Sequence, residues 1–300
     1  MRRVTHPVQG FLAALAAVAV LSIMDAVMKH LVLAIGIVAV SVWRAVANLA
    51  ISAGLYLPRR RKWPTRRILG IHVSRSVVVT IMAVLFFWGI GRVPLAQAIA
   101  LTFIAPLIAM VLAPLFLKER LAGRSIAGAI AAFAGVLVIV LGQARAEVRP
   151  DVLLGIAAIL GSAVCYSANI LMMRWQALIA KPLEINFFQS IVVMLLWIAA
   201  LPLAGVPEWP RGQVSWIVVA SILSTSGSLL FAWAYRRGEA SYLAVTEYSA
   251  FIWAAALGWL VFSERVSLTT LAGAALIVGG CLIAARRKGA PVPPEIDVAV

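Results

Sequence analysis

Charge is scarce in this sequence. Only 12% of its 300 residues are charged, against 63% that are hydrophobic. Soluble domains run near 25% charged and 45–50% apolar, so a soluble fold is excluded. Acidic residues are scarcer still, 11 against 26 basic ones. The resulting net charge of +15 does not point to nucleic acid, because the basic residues fall in short gaps between apolar runs. There are two cysteines, Cys165 and Cys281, both inside apolar runs. They have no metal-ligand spacing and form no disulfide framework. The three histidines, His6, His30 and His72, are scattered near the ends of apolar runs, without catalytic or metal spacing. No G-x-x-x-x-G-K-[ST] phosphate loop occurs, so ATP does not drive this chain directly. No His/Asp or paired-acid cluster gathers at one membrane face, which counts against a membrane-embedded transferase. No cofactor and no metal are expected.

What is present is a succession of runs of about 20 apolar residues, the length that crosses the hydrocarbon layer as a helix. The expected spans are 10–30, 34–57, 69–91, 94–116, 123–141, 152–173, 184–204, 214–235, 240–262 and 268–285. Short loops rich in Pro and Arg separate them, such as Pro58-Arg59-Arg60-Arg61-Lys62. The first run is longer than the 7–15 residues of a signal peptide, so it reads as a retained span. With the N-terminus inside, 18 of the 26 Lys and Arg fall in inner segments and 5 in outer ones. That bias places both termini in the cytoplasm. The tail 289–300 is expected to lie there too.

The chain repeats itself. A gap-free shift of 145 residues lays Trp88 on Trp233, Glu119-Arg120 on Glu264-Arg265, Gly128 on Gly273 and Gly135 on Gly280. The repeats are 1–145 and 146–288. Each holds five spans, an odd number, so the halves insert with opposite topology. The expected fold is therefore all-α and membrane-integral: ten transmembrane helices as two inverted five-helix repeats. Such repeats are a signature of secondary transporters, whose substrate site lies near the midplane between the halves.

Several motifs resemble the EamA branch of the drug/metabolite transporter superfamily over essentially the whole chain. They are Pro94-Leu95-Ala96-Gln97-Ala98 through Phe103 and Pro106, then Phe116-Leu117-Lys118-Glu119-Arg120. To these are added Met24-Asp25 with Lys29, Trp43-Arg44, Arg75, and Glu247-Tyr248 with Phe262-Ser263-Glu264-Arg265. The second half departs from the first by placing Phe251 where Pro106 stands. The resemblance implies a secondary carrier in a bacterial-type cytoplasmic membrane, with an amino acid or related metabolite as substrate and export as its usual direction. A membrane transferase and a lipid flippase are the competing classes.

Ionisable residues inside spans are costly and usually face the protein interior. Five stand out: Asp25, Lys29, Arg44, Arg75 and Glu247. Asp25 and Arg44 lie at similar depth and form a candidate ion pair. Lys29 and His30 sit near a helix end and can snorkel to the interface. At about 1.5 Å per residue, Arg75 and Glu247 each fall about 10 Å from the inner surface. Their repeat counterparts are Ala220 and Thr102, so the scaffold needs no charge at either place. Arg75 and Glu247 are therefore the leading substrate-binding candidates, to contact the substrate or each other. Trp88, Phe86, Phe103, Tyr248, Trp233, Tyr166 and Asn169 are candidate cavity walls, and an amino-acid zwitterion suits such a cavity. Glu247 is a candidate proton carrier, and Pro106 is a candidate hinge. The paired glycines make smooth faces for close packing, either within the chain or between two copies.

Overall fold

The computed structural model describes residues 7–59, 63–105, 107–108, 123–146, 150–235 and 244–285. They form helices, with no strand among the described residues. In chain order these are α1 Pro7–Tyr56, α2 Arg66–Ile90, α3 Leu95–Thr102, α4 Gly123–Ala146 and α5 Pro150–Ile179. Then come α6 Pro182–Ala204, α7 Val214–Tyr235, α8 Ser249–Phe262 and α9 Leu268–Ala285. Pro106 and Glu119-Arg120 lie outside the described residues.

The first two expected spans differ from expectation at their junction. No loop separates them: α1 runs on to Gly36, breaks there and resumes at once. Gly36 has φ 77° and ψ 163°, a conformation open to glycine and strained for a side chain. One residue thus reverses the chain where a short loop was expected. Elsewhere the boundaries follow local chemistry. Thr65 caps α2 by accepting from the Ile68 N–H, and Pro182 opens α6 at its first turn, where a missing N–H costs nothing. Gly205 ends α6 with φ 81°.

Large apolar side chains crowd the outside. Leu203, Leu268, Ile252, Leu260 and Ile130 are all exposed, as suits a chain whose surroundings are hydrocarbon. α1, broken at Gly36, and α2, α5, α6 and α7 are each long and apolar enough to cross a membrane. α4, α8 with the 3₁₀ turn before it, and α9 supply shorter apolar helices. The expected fourth span is described only from α3 to Ile108.

The packing is organised by the 145-residue repeat. α4 and α9, the last helix of each half, pack against each other most extensively. A Cβ on Gly135 would lie 2.6 Å from the Gly273 carbonyl oxygen, and one on Gly280 would lie 2.5 Å from that of Gly128. The four repeat-related glycines thus face one another within one chain, which assigns them to internal packing. Their contacts exchange under the shift: 135 meets 273 as 128 meets 280. Two halves related by a two-fold axis contact in this way. The pattern recurs where α2 packs on α5 and α7 on α1. Gly89 of α2 closes on Ile159 of α5, and Ala234 of α7, at the equivalent position, packs on Ala14 of α1.

Phe103 and Tyr248 are each other's counterparts under the shift, and they touch edge-to-face with ring centroids 5.3 Å apart. A residue in contact with its own counterpart marks the axis. Both helices depart from α geometry there. Phe103 N–H and Ile104 N–H donate three residues back, to Ala100 and Leu101. Residues Ala244–Tyr248 form a 3₁₀ turn before α8.

Candidate functional site

Arg75 sits on α2 and is buried. Its Nε donates to Asn169 Oδ1 at 2.8 Å and its Nη1 to Gln176 Oε1 at 2.5 Å, both on α5. Gln176 then turns its Nε2 toward His72 Nδ1, 2.6 Å away. His72 Nε2 faces Glu184 Oε1 of α6 at 3.3 Å. This chain of polar groups links three helices. His72, Asn169 and Gln176 are buried with the arginine. An aromatic cluster closes one side: Phe188 stacks on His72 at 5.2 Å, and Tyr56, Trp63 and Phe187 pack around Phe188.

Arg75 has no carboxylate partner among the described residues. Its hydrogen bonds go to two neutral amide oxygens. A guanidinium carries five N–H donors, and these bonds use two of them. A buried cation without a counter-ion is unfavourable, so the site is electrostatically incomplete in a way that an anionic group would correct.

Of the candidate site residues, Arg75 meets Asn169 and Phe103 meets Tyr248. Glu247 lies half-buried on the 3₁₀ turn beside Tyr248, at the axis. It is not among the hydrogen-bond partners of Arg75. Phe86 packs edge-to-face on Phe87, and Arg44 lies over the Phe87 ring at 4.9 Å. Arg44 and Asp25 interact electrostatically, while the arginine Nη1 donates to Met24 Sδ at 3.8 Å. Trp88 is half-buried beneath the Arg92 guanidinium, 3.4 Å from its ring centroid. Trp233 faces outward, 39% exposed. Tyr166 is half-buried on α5.

Sequence reasoning passed over Gln176, His72 and Glu184. The signal was available. His72 precedes Arg75 by three residues and Gln176 follows Asn169 by seven, so each pair shares a helical face.

Lys29 is the clear correction. It does not snorkel: it is 4% exposed. Its Nζ donates to the Val93 carbonyl oxygen at 2.7 Å and forms an ion pair with Glu264. The other oxygen of Glu264 accepts from the Leu95 N–H at 2.8 Å, an orphan donor at the start of α3. Ser263, in the left-handed conformation at φ 55°, ends α8 and presents Glu264. Gly258 makes room, since a Cβ there would lie 2.9 Å from the carboxylate. The lysine was misread because a carboxylate 235 residues away supplies a better partner than the interface. A cleft of about 300 Å³ opens beside this pair.

Comparison with known proteins bears on the chain as a whole. The pattern of the EamA-like transporter family matches residues 8–141 and again 153–286. The pseudopaline exporter CntI of Pseudomonas aeruginosa is 30% identical over 223 residues, covering 71% of this chain and 74% of that protein. The riboflavin transporter of Vibrio cholerae is 26% identical, covering 91% of each. The S-adenosylmethionine uptake transporter of Rickettsia bellii is 24% identical, covering 71% of each. A solved structure titled "Crystal structure of protein" covers 93% of this chain with a TM-score of 0.61 at 21% identity, a likeness of fold alone.

Proposed function

The chain belongs to the EamA-like transporter family, and from that premise we propose that it is a secondary carrier for a small polar metabolite with an anionic group, an amino acid being the expected substrate. One observation carries the reading: the buried Arg75 guanidinium is held by Asn169 and Gln176 and has no carboxylate partner among the described residues. A substrate carboxylate supplies the missing charge. Glu247, beside the Phe103–Tyr248 contact at the axis, is the partner we assign to the substrate ammonium, with the aromatic rings as walls. Export is the direction the family resemblance implies.

The carrier works by alternating access between two inverted repeats, 1–145 and 146–288. The contacts that exchange under the 145-residue shift support this arrangement, as does the loss of α geometry near the axis. Broken helices at the repeat interface are where such carriers bind their cargo. Both termini lie in the cytoplasm of a bacterial-type inner membrane, a reading supported by the split of Lys and Arg between inner and outer segments. Cysteine labelling from outside tests it. A probe at 147 should react, a probe at 62 should not, and the reverse pattern overturns the topology.

Flux measurements in proteoliposomes with a panel of labelled amino acids test the function. Arg75→Ala should abolish transport of the responsive substrate, and Glu247→Gln should weaken it. If both variants are folded and transport like wild type, the site lies elsewhere, with Asp25 and Arg44 as the next candidates.

A further inference from the structure

Gln176 stands between two groups with opposite demands. Its side-chain amide has an acceptor at one end and donors at the other. Arg75 is always a donor, so the Arg75 bond fixes Oε1 toward the arginine. Nε2 must then face His72, and it donates to Nδ1. This fixes the imidazole: Nδ1 carries a lone pair, and Nε2 carries the hydrogen that faces Glu184. The assignment does not depend on how the amide was placed, because the reverse orientation sets donor against donor at Arg75.

A proton arriving at Nδ1 consumes that lone pair and sets N–H against NH₂. Gln176 can answer only by turning its oxygen to the histidine, which points its NH₂ at Arg75. The partners lie at opposite ends of the amide, so one orientation serves one of them. We propose that His72 is the proton-binding site of this carrier and that Gln176 links it to Arg75, so that protonation of His72 releases an Arg75 N–H to the anionic group of the substrate. This inference rests on Arg75 being the substrate-binding cation.

The groups facing His72 are Glu184 of α6, Arg75 of its own helix, Gln176 of α5 and the ring of Phe188. Glu184 holds a positive imidazolium in place through Nε2–H, and Arg75 opposes it. An anion arriving at Arg75 removes that opposition. Proton and anion therefore assist each other's binding, and by linkage the assistance is reciprocal. The repeat counterparts of His72, Arg75 and Gln176 are Ile217, Ala220 and Leu31, all buried and apolar. The device exists at one end of the molecule only.

Nitrogen NMR of the full chain in lipid nanodiscs, labelled at His and Arg, tests the linkage without a substrate. His72→Gln and Arg75→Lys assign the signals. At high pH the His72 imidazole should be the Nε2–H tautomer. On acidification the Arg75 side-chain signals should shift with the midpoint of His72, with faster exchange of one Nη hydrogen. In Gln176→Met the imidazole should still titrate while Arg75 no longer gains an exchanging hydrogen at that midpoint. Gln176→Glu serves if the methionine variant does not fold, since a carboxylate accepts from both neighbours and Arg75 should stay bonded throughout. An Nδ1–H tautomer overturns the proposal. So does an Arg75 response that survives unchanged in the Gln176 variant, because it is then a through-space effect of charge. The readout is independent of transport. Its failure leaves the Arg75 carrier reading standing, and normal transport by Arg75→Ala leaves the linkage standing.

Discussion

The two ends of the molecule are built on one plan and filled with opposite chemistry. Where α2 packs on α5, the positions are His72, Arg75, Asn169 and Gln176. Where α7 packs on α1, the equivalent positions are Ile217, Ala220, Met24 and Leu31, all buried in the main apolar core. The same kind of helix packing carries either set, which is the ground for reading the polar set as functional. The converse holds for Lys29 and Glu264. Their counterparts in the sequence, Arg174 and Glu119, keep the same charges.

The sharpest way to break the comparison is to copy one end onto the other. The variant His72→Ile, Arg75→Ala, Asn169→Met, Gln176→Leu writes the apolar set into the polar place. Replacing a buried ionic group by packed hydrophobics is often neutral or stabilising by about 1–4 kcal/mol. The variant should insert and melt no lower than wild type, and it should not transport. A variant that transports removes the functional reading of the network, and one that fails to fold makes the network structural. Thermal melting in detergent with a proteoliposome flux assay reads both.

Glu264→Gln should act in the opposite sense. It leaves Lys29 buried against a neutral amide, and breaking a buried pair from one side costs about 3–5 kcal/mol. A large drop in melting temperature is expected. Adding Lys29→Met should restore part of the loss, which a double-mutant cycle measures. Additive losses would show that the pair is not coupled.

Gly135→Ala puts a methyl 2.6 Å from the Gly273 carbonyl and must push α4 from α9. Overpacking of this kind costs about 1–3 kcal/mol. Gly280→Ala, at the repeat counterpart of Gly135, puts its methyl 2.5 Å from the Gly128 carbonyl and should cost about as much, since the contacts exchange. Unequal losses in melting temperature would show that the two-fold relation fails at this seam. Gly36→Ala should cost no more than the seam variants. A Cβ there meets nothing within 4 Å, so only backbone strain opposes it, at about 1–3 kcal/mol for this glycine-only conformation.

Much of the fold was legible because hydropathy is local. A run of about 20 apolar residues announces a helix without reference to anything else. The repeat was legible for the same reason, since Trp88, the Glu-Arg pairs and the glycines recur at one spacing. The candidate site was legible in part. Arg75 stood out because its counterpart is alanine, and Phe103 and Tyr248 were named without being seen as counterparts of each other. Gln176 and His72 were not, because an amide near a helix end and a histidine near a span boundary look alike wherever they point.

The sequence alone determined that this chain lives in a bilayer, that it is helical and that it is written twice. Those properties follow from composition and spacing, which one strand of text carries. Tertiary structure decided which charges meet. Lys29 finds its carboxylate 235 residues away, and Arg75 finds its amides 94 and 101 residues away. In a low-dielectric interior the partner, rather than the residue, sets whether a charge is tolerable. Only packing brings the partner within reach.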